Sequence, residues 1–407
     1  MKQKLFTANF VLLILGQAVS LFGNFILKLA LSMYVLDMTG SAAVFAGILS
    51  AAVIPTIFLS PFGGILADRA DRRNIMVALD ALSGTFVLAS AVCMAGNNDL
   101  KVICALLVFL SVLGAFETPT VQACIPAMLT GDDIIRGNAV VNQIASLSYL
   151  TAPMLGGILY TAFGLKPVMY ASAVCFFATA LSECFIKLAY RKPEGGGRFL
   201  SIIRSDFSAS VNFIFRGQPK IAKMLILTAL SRFFVMGVIM VGLPYMVRTV
   251  LGLNARYYGA AESILAVATI AGSIAAGFLT GKLNMSRLPF IVAAIGAAVI
   301  PAGAVFLFPA GSMAKYAVIT ACFCMIQILV SVFSIFAVSF IQQKTPDNLI
   351  GKIMAYTSAI TLCVQPAGQM IYGFLFDRFR SAVHIVLIPT GIIVCMAGLL
   401  SLLFLRE

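Results

Sequence analysis

Charge is scarce in this chain. Lys, Arg, Asp and Glu together make up 11% of its 407 residues, whereas soluble domains carry about 25%. There is no Trp, and the one His is His384. With 61% apolar residues and a mean hydropathy of +1.03, the scarcity of charge excludes a soluble globular enzyme. One histidine and scattered carboxylates do not supply the clustered nucleophile, base or ligands that an integral membrane enzyme needs. No G-x-x-x-x-G-K-S/T segment occurs, so ATP drive would require a separate subunit. The nine cysteines (93, 104, 124, 175, 184, 322, 324, 363 and 395) all fall in apolar stretches. None has a CxxC or metal-ligand spacing, and they read as free packing residues. No metal and no cofactor is expected.

What is present is lipid-soluble sequence. A crossing takes about 20 apolar residues, and twelve such spans can be placed, near 10–36, 42–66, 74–95, 102–128, 137–161, 167–189, 221–247, 257–281, 287–309, 314–341, 350–376 and 382–405. The first follows two lysines and runs well past the length of a signal-peptide core, so it reads as a span. The expected fold is all-α and integral to the membrane, with twelve transmembrane helices in two pseudo-repeated halves, 1–190 and 220–407. Between them, 191–219 is read as a cytoplasmic linker. Phe199, Ile202, Ile203, Phe207, Val211 and Ile214 share one helical face there, as in a helix lying on the membrane surface.

Net charge is +13, from 28 Lys and Arg against 15 Asp and Glu. In a membrane protein this excess reflects orientation rather than a nucleic-acid partner. Nineteen basic residues fall on the side of the N-terminus and seven on the other, and the remaining two, Lys28 and Arg232, lie inside the membrane. Both termini are therefore expected on the cytoplasmic side.

The halves repeat each other. Gly64-Ile65-Leu66 and Gly277-Phe278-Leu279 share an offset of 213 residues with Pro153 and Pro366. A common offset is what parallel transporter repeats produce. Four spans carry polar stripes at helical spacing: Gln17, Ser20, Asn24 and Lys28 in span 1; Ser111, Glu117, Thr118 and Gln122 in span 4; Thr228, Ser231 and Arg232 in span 7; Thr320, Gln327 and Ser331 in span 10. Polar groups avoid lipid, so spans 1, 4, 7 and 10 are expected to line a wet cavity. Span 9 has no polar side chain and is expected to be mostly lipid-facing. Interhelical bonding accounts for the hydroxyls, at about 1 kcal/mol or less each. It accounts poorly for Lys28, Glu117 and Arg232. At 1.5 Å per residue, Glu117 and Arg232 lie about 3 Å on one side of mid-span and Lys28 about 7 Å on the other. Other charges have plainer readings: Glu183 and Lys187 as an i,i+4 pair, Glu262 reaching water near the outer interface, and His384 at the surface.

These features resemble the major facilitator superfamily from end to end. The loop Gly63 to Arg73 (GGILADRADRR) is similar to the superfamily signature G-x-L-a-D-R-x-G-R-R/K, with Gly64, Leu66, Asp68, Arg69, Arg72 and Arg73 matching and Asp71 standing where the pattern has Gly. Pro153, Gly156 and Gly157 resemble the end of the helix-packing motif of the exporter branches, without its preceding glycines. The run Phe116 to Gln143 resembles the macrolide-efflux and enterobactin-exporter branch. The resemblance implies a conformational latch in which Asp68 meets the start of span 11. Gly64 would then allow close helix packing, while Arg69, Arg72 and Arg73 would pair with Asp68, Asp71 or Asp80.

The expected function is that of a secondary transporter exporting an amphipathic small molecule (a drug, macrolide or siderophore-like compound) by alternating access and proton antiport. Asn24, Lys28, Glu117, Gln122, Arg232 and Gln327 would form the substrate and proton cavity. Its expected partners are the small-molecule substrate, protons and the lipid bilayer of the cell membrane, with no nucleic acid and a monomeric state. Proton-coupled uptake of a nutrient or lipid by the same fold is the alternative, and an integral membrane enzyme a remote one.

Overall fold

A computed structural model describes residues 5–94, 98–188, 219–279, 287–346 and 350–405. The linker helix expected within 191–219 lies outside the described residues, apart from Pro219. The helices are α1 (Ala8–Thr39), α2 (Ala42–Arg69), α3 (Arg72–Cys93), α4 (Asp99–Met128), α5 (Asp132–Phe163) and α6 (Leu165–Glu183), then α7 (Pro219–Gly237), continued by π-helical turns at Val238–Gly242 and Met246–Val250. They end with α8 (Ala255–Phe278), α9 (Leu288–Ala304), α10 (Ser312–Lys344), α11 (Ile350–Arg378) and α12 (His384–Leu405). Twelve helical segments are long and apolar enough to span a membrane, and no strand occurs among the described residues.

The chain forms two compact units. The first holds Met1–Thr39, Ala51–Gly195 and Asn254–Ser263; the second holds Gly40–Ser50, Gly196–Leu253 and Ile264–Glu407. In the first unit, α1, α3 and α4 bury Phe10, Leu13, Met76, Cys124 and Ile125 together at one end. Toward the other end, polar side chains fasten the helices: the Tyr34 hydroxyl donates to Asp99 at 2.6 Å, and Tyr160 donates to Asp37 at 2.7 Å.

Small residues set the closest approaches. The glycine that brings α2 onto a neighbour is Gly63, not Gly64. A methyl group at Gly63 would stand 2.4 Å from the Ala115 carbonyl oxygen of α4, whereas one at Gly64 would meet nothing within 4 Å. One residue turns a helix by about 100°, enough to move Gly64 off the contact face. Pro119, four residues after Ala115, has no N–H to offer that carbonyl, and the bare backbone of Gly63 lies against it. Gly156 packs on Ile26 of α1, Gly157 on the Ala255 carbonyl, and Gly259 on the Pro153 carbonyl.

In the second unit, Gly237 of α7 and Gly368 of α11 bring those helices together. The expectation for span 9 is corrected in part. One face of α9 (Val292, Ile295, Gly296, Val299, Ala302) is buried, with Gly296 tight against Gly391 and Cys395 of α12. Apolarity alone does not separate a lipid face from a face packed on another apolar helix.

Paired substitutions separate the two glycines. Gly63→Ala should lower thermal stability in detergent, by about 1–3 kcal/mol, the usual cost of overpacking. Gly64→Ala should raise it by about 0.5–1 kcal/mol through helix propensity. Equal unfolding temperatures for the two variants would contradict the assignment.

Candidate functional site

A cavity of about 390 Å³ opens within the first unit among α1, α2, α4 and α5. Residues 17, 24 and 28 recur on one face of α1, and Glu117 and Gln122 share the facing side of α4, so Gln17, Asn24, Lys28, Glu117 and Gln122 all reach it. Lys28 and Glu117 act on one another electrostatically. Asn24 Oδ1 and Gln17 Nε2 are buried without a protein partner, leaving an acceptor and a donor for water or a ligand. Leu21, Phe25, Leu110 and Val121 supply an apolar wall. The chemistry offered is an amine and a carboxyl group lining one cavity, in a setting that also accommodates apolar surface. Asn138 and Asn142 of α5 also line the cavity and were absent from the expected set, although their i,i+4 spacing was a readable signal.

Two acids take positions other than those expected. Asp80 is turned into the helix bundle rather than toward the loop arginines: it is 2% exposed, and the Ser20 hydroxyl donates to its Oδ1 at 2.9 Å. Glu183 does not pair with Lys187. Its carboxyl is buried, with no hydrogen-bond donor among the described residues, while Lys187 is exposed and its backbone N–H donates to Asn9. The end of α6 carries Lys187 away from Glu183, since residue 187 lies beyond the helix. Glu262, expected to reach water, is partly exposed and also accepts a hydrogen bond from the Tyr258 hydroxyl, one turn earlier on α8.

In the loop, Asp71 has φ of −66° and accepts from the backbone N–H of Arg73, capping α3. The family's glycine is dispensable here because no positive φ is needed, and the partner of Asp71 is a helix N-terminus rather than a surface cation. Arg72 donates to the Ala67 carbonyl in the last turn of α2 and to the Ala123 carbonyl of α4, at 2.9 and 3.0 Å. It thereby satisfies a carbonyl that the helix end leaves free. Arg73 Nε is buried without a partner, Arg69 is exposed, and Asp68 lies in the last turn of α2.

In the second unit, Arg232 on α7 is half-buried beside the buried Ser231, and Gln327 of α10 donates to Thr269 of α8 at 2.9 Å. Gln327 therefore bonds helix to helix. A residue not foreseen is Asp377, at the end of α11. It accepts from the Ser41 hydroxyl and from the backbone N–H groups of Ala42 and Ala43, the latter two at 2.7 and 2.9 Å. The carboxylate caps the start of α2 from a helix distant in sequence. Its only sequence signal was an acid among the arginines at 378 and 380.

Comparison with known proteins bears on this geometry. The model of the Major Facilitator Superfamily matches residues 13–364. Macrolide efflux protein A of Streptococcus pyogenes is 23% identical over 391 residues, covering 94% of this chain and 92% of that one. The staphyloferrin A transporter of Staphylococcus aureus is 23% identical over 186 residues, covering 44% and 46%. Among solved structures, the nucleoside transporter NupG superposes with a TM-score of 0.75 at 12% identity, over 96% of this chain and 99% of that one.

The two caps predict separable effects. Asp377→Ala should destabilise the purified protein by about 1–2 kcal/mol, as loss of an N-cap carboxylate does. Asp377→Asn, which keeps an acceptor oxygen, should cost less. Asp71→Ala should cost about 0.5–2 kcal/mol, with Asp71→Asn again milder. An unfolding midpoint unchanged in both alanine variants would remove capping as the role of these carboxylates.

Proposed function

The chain belongs to the Major Facilitator Superfamily, and from that premise we propose that it is a secondary transporter exporting an amphipathic small molecule in exchange for protons. The observation that carries this reading is the Lys28–Glu117 pair in a cavity with both polar and apolar walls. Full-length similarity to a macrolide efflux protein supports the direction and the substrate class, and similarity to a staphyloferrin A transporter extends that class to siderophore-like compounds. The nineteen-to-seven bias of basic residues supports cytoplasmic termini in a cell membrane.

The coupling follows from charge in a poorly solvating site. Beside Lys28, Glu117 can stay ionised; when that neighbour is withdrawn or taken by substrate, burial favours the neutral acid and Glu117 takes a proton. Alternation of these two states, coupled to rocking of residues 1–190 against 220–407, moves protons inward and substrate outward. Asn24, Gln122, Arg232 and Gln327 complete the proposed substrate and proton set. Asp68 keeps the latch role its loop motif implies, with Gly64, Arg69, Arg72 and Arg73 in the same motif. The protein acts as a monomer in this scheme.

In vesicles with an imposed proton gradient and a labelled macrolide as probe, the wild-type protein should move the probe uphill, and a protonophore should abolish that movement. Glu117→Gln should lose uphill movement while keeping probe exchange. Asp68→Asn should slow turnover without lowering membrane abundance. Uphill transport by Glu117→Gln would make Glu117 structural. Accumulation of the probe on the proton-rich side would support export, and accumulation on the other side would turn the reading to uptake.

A further inference from the structure

Behind the cavity wall, α1, α3 and α6 enclose a second set of polar groups that the cavity mechanism does not use. Asp80 and Glu183 are 2% and 0% exposed, and their carboxyl groups face one another. Ser20 donates to one oxygen of Asp80. Neither oxygen of Glu183 has a donor among the described residues. Gln17, 5% exposed, points its Nε2 toward Glu117 without completing a hydrogen bond. The groups facing the pair are Glu117 and Cys124 from α4 and Cys184 from the adjoining residue. From α1 come the neutral Ser20 and Gln17, and no described group of α5 acts on either acid. Lys28 acts on Glu117 and Arg72 on Cys124, and no described cation acts directly on either acid of the pair.

Two buried carboxylates that face each other without a cation beside them cannot both keep their charge. A single proton between them removes the repulsion and supplies the donor that Glu183 lacks. Their depths differ in a useful order. At 1.5 Å per residue, Glu117 lies about 16 Å from the end of α4 and Asp80 about 12 Å from the start of α3, while Glu183 is the last residue of α6. The three acids therefore step from the cavity to the end of the bundle, where exposed Lys187 meets water.

We propose that Asp80 and Glu183 form a proton-binding site distinct from Glu117, through which a proton taken up in the cavity leaves at the end of α6. The Glu117 O–H bond breaks as an O–H bond forms on Asp80, and the proton already held by the pair passes from Glu183 to water. One O–H bond forms for each that breaks, no electrons change owner, and the pair again holds one proton. The relay rests on the proton-antiport reading; the site itself does not.

Difference infrared spectroscopy of the full-length purified protein, without substrate, tests the site directly. A protonated-carboxyl C=O band should be present at neutral pH, persist in Glu117→Gln, shift in Asp80→Asn, where Glu183 keeps a proton of its own, and be lost in Glu183→Gln, where Ser20 and the new amide can donate to ionised Asp80. Ser20→Ala keeps both acids and should shift the band without removing it, which keeps the test decisive where an acid variant folds poorly. Absence of the band in the wild type, or its survival in Glu183→Gln, overturns the proposal. In the vesicle assay, Asp80→Asn should lose proton-driven macrolide transport and retain exchange. Uphill transport in that variant at the wild-type rate overturns the relay. Proton-independent transport by the wild type, with the band behaving as stated, refutes antiport and leaves the proton site standing.

Discussion

A carboxylate inside a membrane has no water to stabilise it, and the first unit is organised around that shortage. An ionised acid there needs a cation, a set of hydrogen-bond donors or a proton. The unit uses all three. Glu117 has Lys28 across the cavity, and Asp99 receives the Tyr34 hydroxyl. Asp80 has Ser20 and then Glu183, a second acid with which it shares a proton in the proposal above. In the proposed mechanism, substrate chemistry and proton chemistry share one physical origin, the cost of leaving charge unsolvated.

The same shortage governs helix ends, where backbone groups lack intrahelical partners. Asp71 covers the start of α3, Arg72 a carbonyl at the end of α2, and Asp377 the start of α2. The last of these is not matched in the repeat. Ala42 and Ala255 are related by the 213-residue offset, as are Pro366 and Pro153. Both helix starts sit on the proline-bearing helix of their unit: α11 meets Ala42 through Gly373, and α5 meets Ala255 through Gly157. Only the first is held by a carboxylate; residue 164, the counterpart of Asp377, is Gly, and Asn254, the counterpart of Ser41, has a buried Oδ1 without a partner. The two helix starts share the packing and differ in the cap.

Much of this was legible in the sequence for a simple reason: membrane spans declare themselves by length and apolarity, and polar residues within them are few enough to be read one by one. The twelve spans follow from that, and Asn24, Lys28, Glu117 and Gln122 converge on one cavity because lipid excludes them elsewhere. The errors arise where a residue has two permissible faces. Gly63 and Gly64 are adjacent, and composition cannot say which one points at α4. Glu183 and Lys187 have helical spacing, but the helix stops between them. Asp80 is close in sequence to the loop arginines, and burial against Ser20 takes it the other way. Asp377 was hidden because its partner is a backbone terminus more than 300 residues away, which leaves no pattern in a single sequence.

The distribution of acids gives the arrangement its functional asymmetry. Of the fifteen Asp and Glu residues, eleven belong to the first unit and four to the second, namely Asp206, Asp347, Asp377 and Glu407. Among the described residues of the second unit, the one acid is Asp377, and it is occupied at a helix start. The polar groups within that unit's helices are hydroxyls, amides and Arg232, of which Gln327 and Thr269 bond to each other. Here the titratable chemistry is concentrated in one bundle, and the other brings a fixed cation, which cannot release its proton at any physiological pH. Under the proposed proton exchange, the first unit can change charge while the second keeps its own, and that difference would let a proton gradient act on two otherwise similar bundles.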